Sequence, residues 1–328
     1  MTIALKENAG RPGTSLVRRI NLALVVFLVF YLAIGLLQPS YLEPAGAMNF
    51  LRRAAPLAIL AAGQIFVLVS GGFDLSMGSL VTLTVIGGSM LTANDPSNTW
   101  WAIGALYCIG LAVGAINGAV VAYLRAPSII ATLGTLLSVN GVAMMWSGGS
   151  PRGYLPDNFR MFGRFVFHDV PVVRIFPLAI VVLVVVGGLA WWGLHGTVFG
   201  RRVFAVGDNA RAAELAGVRV DIVRIGVFVI SALAAVTAGI MLGGFGGVSV
   251  DVGRGLELQA IAACVVGGVQ LMGGRGAVVG AMAGALTMTA LFTLLTLLGW
   301  PQPLKETAQG LILIVAVAFG AWRQRRTG

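Results

Sequence analysis

The stretch I-F-P-L-A-I-V-V-L-V-V-V-G-G-L-A-W-W-G-L at residues 175–194 decides the fold class, because it runs for 20 residues without a charged side chain. A helix of about 20 apolar residues crosses the hydrocarbon core of a bilayer, which is about 30 Å thick. Inside that core every backbone N–H and C=O must be paired within the protein, and a helix pairs its own. The stretch therefore predicts a transmembrane helix.

Similar runs recur along the chain, and the composition agrees with them. Of the 328 residues, 58% are hydrophobic and 10% are charged, with a mean hydropathy of +0.92. A soluble domain carries about 25% charged residues. We predict an all-α integral membrane protein, a polytopic bundle of about ten transmembrane helices. The predicted spans are 20–37, 54–70, 76–92, 100–123, 128–146, 175–194, 223–243, 256–272, 277–298 and 304–322.

These spans define one membrane domain, predicted at residues 20–322, between two short tails. Residues 1–19 and 323–328 are the predicted N-terminal and C-terminal tails. The first span is long, and no small-residue cleavage site follows it. It is therefore expected to remain as a membrane anchor and not to be removed as a signal peptide.

The distribution of basic residues predicts the orientation. Short cytoplasmic loops are enriched in Lys and Arg, and most of the 22 basic residues fall on the cytoplasmic side when the N-terminus is inside. We therefore expect both termini in the cytoplasm of a bacterial cell and the spans in its inner membrane. Arg52 and Arg53 fall on the other side, which a shortened or re-entrant second span would explain.

The formal charge of +10 does not indicate nucleic-acid binding. The basic residues are scattered through the segments that flank the spans, without a soluble aromatic platform between them. Cys108 and Cys264 lie within predicted spans, where cysteine behaves as a small apolar side chain. His168 and His195 fall on opposite sides of the membrane. We expect no disulfide and no metal site.

An enzymatic function is not indicated by any residue pattern. The two lysines, Lys6 and Lys305, do not lie in a Gly-rich phosphate-binding loop of the G-x-x-x-x-G-K-[ST] kind. Paired carboxylates, a Ser-His-Asp triad and a metal-ligand set are also missing at enzymatic spacing. We therefore expect no catalytic residues and no directly bound cofactor, and energy for transport has to come from an ion gradient or from another subunit.

Asp74, in S-G-G-F-D-L-S-M-G-S between the second and third spans, is the ionisable residue closest to membrane depth. An acid there is a functional candidate, because burying its charge without partners costs several kcal/mol. It also stands where the next helix begins, so a capping role is the alternative. Apart from Asp74 and span ends such as Arg224 and Glu257, the spans lack titratable groups, which favours a neutral polar solute over a charged one.

Glycines at four-residue spacing predict close packing of helices. Gly110, Gly114 and Gly118 share one face of a span, and Gly276, Gly280 and Gly284 are spaced likewise. Without side chains at these positions, a neighbouring backbone can approach. Sliding of these faces during gating is the alternative interpretation.

The segment 195–222 contains G-D-N-A-R-A-A-E-L-A-G-V-R and predicts a short helix of two turns. Asp208 or Asn209 can cap its start, and Gly217 can adopt the left-handed conformation that ends it. A short helix of small residues that projects from a membrane domain is suited to docking in a groove of another protein. An ordinary loop helix is the alternative.

The other informative segment, 147–174, is predicted to lie outside the cell. It combines Pro and Gly with Tyr154, Phe159, Phe162, Phe165, Phe167 and several arginines. Aromatic and Arg side chains are favoured as anchors of protein interfaces. This segment either contacts an external partner or packs on the outer surface of the bundle.

Five motifs, in order along the chain, resemble the ribose and simple-sugar permease family of ATP-binding-cassette importers. They are G-G-F-D-L-S-M-G-S at 71–79, P-S-I-I-A-T-L-G-T at 127–135, S-G-G-S-P at 147–151, G-R-R-V-F-A-V-G-D-N-A-R-A-A-E-L-A-G-V at 200–218 and E-L-Q-A-I-A-A-C-V-V-G-G-V-Q-L-M-G-G-R-G at 257–276. Together they cover the chain from about residue 50 onward. Phe73, Gln270 and Met272 depart modestly from the family's usual residues.

The resemblance implies the importer-permease fold and three protein partners. These are a second permease copy, a cytoplasmic ATPase that carries ATP and Mg, and a periplasmic sugar-binding protein. It further implies that the helix that couples the permease to the ATPase contains Asp208, Asn209, Arg211, Ala212, Ala213, Glu214, Leu215 and Gly217. Gly71, Gly72, Asp74 and Ser76 belong to a family motif with a gating or structural role.

The predicted function is import of a monosaccharide or a similar neutral polar solute from periplasm to cytoplasm. Candidates to line the path are polar residues on the spans, which otherwise form hydrogen bonds between helices. They are Gln64, Asn117, Thr132, Thr135, Ser138, Asn140 and Gln259. The alternative function is a stand-alone secondary transporter or channel, against which the lack of intramembrane titratable groups argues.

Overall fold

The computed structural model describes residues 22–150, 153–312 and 314, which form a bundle of helices with one small sheet. The helices are α1 (Leu22–Leu37), α2 (Pro44–Val69), α3 (Met77–Thr92), α4 (Thr99–Tyr123), α5 (Ser128–Ser147), α6 (Asp157–Arg164), α7 (Leu178–Trp191), α8 (Val198–Leu215), α9 (Val220–Gly246), α10 (Leu256–Val266) and α11 (Val278–Leu297); the strands are β1 (Val166–Val170) and β2 (Arg174–Pro177). Residues 302–312 are also helical.

Six of these helices are long and apolar enough to cross a membrane. They are α2, α4, α5, α9, α11 and α7, the last extended by a π-helical turn to Gly196. The apolar helices α1, α3 and α10 are shorter. An all-helical membrane protein is thus confirmed in outline, but the total of about ten spans is not. The predicted span 304–322 lies partly, and both predicted tails lie wholly, outside the described residues.

The long helix α9 packs closely against α4 through glycines. Gly114 lies against the backbone of Phe228 and Val229, and Gly118 against that of Ile225. This confirms the close packing predicted from the spacing of these glycines. The second predicted triplet is only partly helical, because α11 begins after Gly276.

The second span is longer than predicted. Helix α2 begins at Pro44, so Arg52 and Arg53 lie inside the helix, and neither a shortened nor a re-entrant segment accounts for them. Its 26 residues extend about 39 Å at 1.5 Å per residue, which exceeds the thickness of the hydrocarbon core. The guanidinium of Arg52 lies 5.7 Å from the ring centroid of Phe245, near the end of α9.

Two helices start after non-helical segments inside the bundle, and their first turns lie close together. Segment 70–76 precedes α3, and segment 247–255 precedes α10. The Gly253 N–H donates to Thr82 Oγ1 at 3.1 Å, and the Glu257 carboxyl lies beside Gly78. Non-helical backbone at membrane depth is tolerated where protein surrounds it.

The predicted span 256–272 is wrong at its end, because α10 stops at Val266. Gly268 adopts a φ of +87°, its N–H donates to the Val265 carbonyl at 2.9 Å, and Val269 N–H donates to the Cys264 carbonyl at 3.0 Å. This arrangement is a glycine-dependent helix end. Two further glycines, Gly273 and Gly274, also have positive φ and keep the chain non-helical up to α11.

The predicted external segment contains α6 and the antiparallel hairpin β1–β2, which the all-helical prediction did not include. Phe159 of α6 is fully buried, and Gly163 packs against the backbone of Met241 and Gly244 on α9. Helix α8 comes directly before the other end of α9, which begins at Val220. The end of α9 at Val220 and the end that packs against α6 are roughly 30 Å apart along the helix. We call these two ends of the bundle the α6 end and the α8 end.

Candidate functional site

The segment 209–217 is a short capped helix at the α8 end. Helix α8 is longer than the two turns predicted, and its backbone breaks at Asn209, where φ is −157° and ψ is 101°. The Asn209 Oδ1 accepts a hydrogen bond from Ala212 N–H at 3.0 Å, so Asn209 and not Asp208 provides the cap. Gly217, with φ of +83°, ends the helix as predicted.

The outer face of this segment has no partner within the described part of the chain. Leu215 is 75% exposed, Ala212 is exposed, and Ala213 is buried against the bundle. Arg211 and Glu214 form an ion pair at 2.7 Å with both side chains largely exposed. Such a pair contributes about 0–1 kcal/mol to stability. The face is therefore available for a partner protein.

The cap gives a prediction about local stability. Asn209→Ala should destabilise the short helix by about 1 kcal/mol, because Ala212 N–H loses its acceptor. Hydrogen exchange of the amides at 210–215 in detergent measures this opening. Asp208→Ala is the matched control, and equal acceleration in both variants would contradict the assignment of the cap.

Gly207, two residues before the break, is the point where α8 crosses two other segments. A methyl group on Gly207 would overlap the carbonyl oxygen of Val69, the last residue of α2. The same oxygen accepts a hydrogen bond from Gly274 N–H at 2.9 Å, and Gly273 lies against Gly207. Helix α8 is thus in direct backbone contact with the start of segment 70–76 and with the segment after α10.

Segment 70–76, which contains Gly71, Gly72, Asp74 and Ser76, is held against the start of α5 by two side chains. Ser128 Oγ accepts from Phe73 N–H at 3.0 Å, and Thr132 Oγ1 accepts from Leu75 N–H at 3.1 Å. These hydroxyls satisfy backbone donors that no regular secondary structure serves. The segment is therefore attached to the start of α5 at Phe73 and Leu75.

Asp74 is buried and fully engaged by hydrogen-bond donors. Its Oδ1 accepts from Ser76 N–H at 2.9 Å and from Ser76 Oγ at 2.6 Å, and its Oδ2 accepts from Ser231 Oγ on α9 at 2.6 Å. Asp74 thus forms a turn just before α3, and the helix cap position itself is Ser76. The arrangement matches a structural role for this acid.

The hydrogen bonds continue from Ser76 to two further helices. Asn117 Nδ2 on α4 donates to Ser76 Oγ at 3.0 Å, and Thr135 Oγ1 on α5 donates to Asn117 Oδ1 at 2.5 Å. One chain of polar groups therefore joins α9, the start of α3, α4 and α5. We call these five residues, Ser231, Asp74, Ser76, Asn117 and Thr135, the polar chain.

A cleft of about 500 Å³ opens at the α8 end, between the short helix and the bundle. Its lining includes Gly71 and Gly72, Arg125 from the α4–α5 connection, Glu214 and Arg224. Segment 70–76 is thus in contact with the cleft through its glycines and with the polar chain through Asp74. This geometry brings the predicted family motif and the predicted coupling helix together.

The seven predicted path-lining residues occupy different environments. Gln64, Asn117 and Thr132 are buried, and Thr135 is bonded within the polar chain. Asn140 and Gln259 are half-buried, and Ser138 is exposed with its hydroxyl bonded to the Gly134 carbonyl at 2.9 Å. Gln64 stands apart, because its side-chain amide has no hydrogen-bond partner among the described residues.

Helix α5 is the least covered of the six long helices, with 17% of its span buried. Its exposed face carries Ser138 between Gly134 and Gly141, and nothing within the described residues lies within 4 Å of a side chain added at either glycine. A polar and small-residue stripe on an uncovered membrane helix is suited to face another helix or an aqueous path.

Sequence reasoning missed three residues of this site. Ser128 is a single hydroxyl at the start of α5 and Ser231 is one in the middle of α9, and only their position opposite segment 70–76 gives them a role. Gly207 was one glycine among 46. A signal for Ser231 existed in principle, since it interrupts the most apolar stretch of α9.

Comparison with known proteins identifies the family. Residues 46–317 match the family described as "Branched-chain amino acid transport system / permease component". The autoinducer 2 import system permease protein LsrC of Salmonella typhi is 34% identical over 299 residues, which are 90% of this chain and 84% of that protein. Its counterparts in Shigella flexneri and in Escherichia coli (strain K12 / DH10B) are 34% identical over 304 residues, which are 92% of this chain and 86% of those proteins.

No solved structure matches the chain. The family match covers most of the residues, and it confirms the resemblance to transport permeases drawn from the five motifs. The apolar helices and the bacterial relatives indicate a multi-pass inner-membrane protein. This chain belongs to the family of permease components of membrane transport systems.

Proposed function

We propose that this permease imports a neutral, sugar-like solute and that a separate ATP-binding-cassette ATPase, which carries ATP and Mg, drives it through segment 209–217. The observation that supports this most is the exposed capped helix and its contact, through Gly207, with the end of α2. A partner that pulls on the helix moves segment 70–76 and thereby the polar chain.

In this proposal the α8 end faces the cytoplasm, together with both termini, and the α6 end faces the periplasm. A periplasmic binding protein delivers the solute at the α6 end. The ATPase closes on ATP at the α8 end, and each ligand stabilises the state that it binds more tightly.

The path is proposed to run between two copies of the permease along the uncovered face of α5. Ser138 already lies on that face, and Asn140 and Gln259 are the other candidates that are not fully buried. Asn117, Thr132 and Thr135 would shape the path from behind, because they fix α5 to α4 and to segment 70–76.

A neutral solute fits the charges of the spans better than an amino acid does. Asp74 is the acid within the polar chain, and its oxygens accept three hydrogen bonds from Ser76 and Ser231. Because Asp74 is also buried, its carboxyl is not exposed to the ammonium group of a solute. The relatives named for autoinducer 2 import support a solute of sugar-like size and polarity. A furanosyl signalling compound is thus within the proposed class, beside pentoses, hexoses, nucleosides and polyols.

The experiment is ATP-driven uptake into vesicles that hold this chain, its ATPase and its binding protein. The panel of labelled solutes contains pentoses, hexoses, autoinducer 2 and leucine. Uptake of a sugar-like compound that needs all three proteins supports the proposal. Preferred uptake of leucine contradicts the solute class, and uptake by the chain alone without ATP promotes a secondary transporter or channel.

Glu214→Arg tests the docking surface in the same vesicles. The reversed charge should lower ATP-driven uptake at least tenfold, because like charges across an interface cost several kcal/mol. Folding should survive, since the Arg211–Glu214 pair is exposed. Glu306→Arg is the control, because Glu306 is exposed and lies in the helical segment 302–312, far from Glu214 in sequence. Unchanged uptake in Glu214→Arg would argue against docking at this helix.

A further inference from the structure

A groove at the α6 end is lined by charged and aromatic side chains that the transport path does not use. It lies between α6 and β1, encloses about 480 Å³ and is lined by Asp157, Arg160, Met161, Arg164, Phe165 and His168. We call it the outer groove. Because α6 packs near the end of α9 farthest from α8, the groove and segment 209–217 lie at opposite ends of the bundle.

Two arginines of the groove lack carboxylate partners within the described part of the chain. Arg160 and Arg164 are one turn apart on α6, and neither has a carboxylate oxygen within 4.0 Å there. The Nε of Arg160 is moreover buried and has no hydrogen-bond partner among the described residues. Buried polar groups are nearly always paired, so an unpaired guanidinium nitrogen points to a missing acceptor.

The rim of the groove has the side chains that protein interfaces favour. Phe165 and Phe167 pack edge to face with ring centroids 5.0 Å apart, and they are 46% and 45% exposed. At the tip of the hairpin, Val172 is 89% exposed. Arg and aromatic residues together are enriched at the centres of protein interfaces.

The position of the hairpin favours a protein over a lipid headgroup as the occupant. Strand β2 ends at Pro177, directly before Leu178, the first residue of α7, so the hairpin is attached at the end of that span. A soluble protein reaches such a site from the water. A carboxylate would supply the acceptor that the two guanidinium groups lack, in the forked geometry that Arg prefers.

We infer that the outer groove is the docking site for a carboxylate-bearing surface of the soluble solute-binding protein. This inference rests on the proposed function, because it requires a binding protein at the α6 end. The carboxylate enters between Arg160 and Arg164, and an apolar side chain of the same surface covers Phe165 and Phe167.

The test uses the full transporter in nanodiscs. It measures how tightly the transporter binds the solute-binding protein that supports its uptake. Arg164→Glu should weaken binding at least tenfold and flatten its salt dependence, because an attractive pair becomes repulsive. Arg174→Glu is the matched control, since Arg174 is exposed on the neighbouring hairpin but does not line the groove. Its affinity should change less than threefold.

A second variant, Phe167→Ser, covers the case in which charge reversal disturbs folding. It should weaken binding about threefold to tenfold without a change in salt dependence. Equal affinities for wild type, Arg164→Glu and Phe167→Ser would overturn the inference while leaving the proposed function intact. Equal weakening by Arg164→Glu and Arg174→Glu would also overturn it, in favour of unspecific attraction.

Two further outcomes distinguish docking of the binding protein from binding of a lipid phosphate and from a failure of the proposed function. Transport that responds to the anionic lipid content of the nanodisc in wild type but not in Arg164→Glu, with unchanged protein affinity, would assign the groove to a lipid phosphate and overturn the inference. If no soluble protein binds or stimulates uptake in wild type, the proposed function falls and the inference falls with it.

Discussion

Gly207→Ala is expected to abolish most ATP-driven uptake, with a loss of at least tenfold. The added methyl group would overlap the Val69 carbonyl oxygen and crowd the Gly274 N–H bonded to it. Backbone does not yield as a flexible side chain does, and overpacking of this kind costs about 1–3 kcal/mol. The three segments must therefore separate, which disconnects segment 209–217 from segment 70–76.

The measurement compares uptake and ATP hydrolysis in the reconstituted transporter. Gly207→Ala should retain binding of the ATPase, because the cap at Asn209 and the face at Leu215 are unchanged, but uptake per ATP should fall. Gly188→Ala is the matched control. Gly188 is a helical glycine of α7, and a side-chain carbon added there would have no atom of a neighbouring described segment within 4 Å. Equal uptake in the two variants would show that the crossing does not transmit motion.

Asp74→Leu is the second substitution with a large expected effect. It leaves Ser76 N–H without its acceptor and removes the contact with Ser231 Oγ, all within a buried site. A buried donor left unpaired costs about 1–3 kcal/mol, and the two hydrogen bonds from the Ser76 and Ser231 hydroxyls are lost in addition. We expect a total loss of about 3–5 kcal/mol in the free energy of unfolding, measured by denaturant titration in detergent.

The chain offers a matched control for Asp74. Asp95 makes the same kind of turn, with Oδ1 accepting from Ser97 N–H at 2.8 Å, but on an exposed loop. Asp95→Leu should cost less than about 1 kcal/mol. Asp74→Asn should be intermediate, since its amide oxygen still accepts from Ser76. If Asp74→Leu is no worse than Asp95→Leu, the polar chain does not stabilise the bundle.

The sequence predicts most helices well, because apolar runs of membrane length have few alternatives in lipid. It also predicts the capped helix, since Asn209 and Gly217 carry their local geometry in their side chains or the lack of one. The prediction is wrong where glycines act together. Gly268 ends α10 early, and Gly273 and Gly274 keep the following residues non-helical, although Val269, Leu271 and Met272 are apolar.

The connections inside the site were beyond prediction for a different reason. Ser231 and Asp74 are 157 residues apart in sequence, and Gly207 and Val69 are also distant, so that only the fold brings them together. The hairpin at 166–177 was missed because its strands are short and one side is exposed. Arg52 and Arg53 misled the placement of α2, because the helix continues through both residues back to Pro44.

Site-specific photo-crosslinking tests the central claim, that an ATPase docks on segment 209–217, most directly. A photoreactive residue replaces Leu215 in one variant and Val172 in the other, since both side chains are exposed and lie at opposite ends of the bundle. In the assembled transporter, position 215 should crosslink to the ATPase and position 172 should not. A crosslink to the ATPase at 172 with none at 215 would contradict both the docking helix and the orientation proposed for the chain.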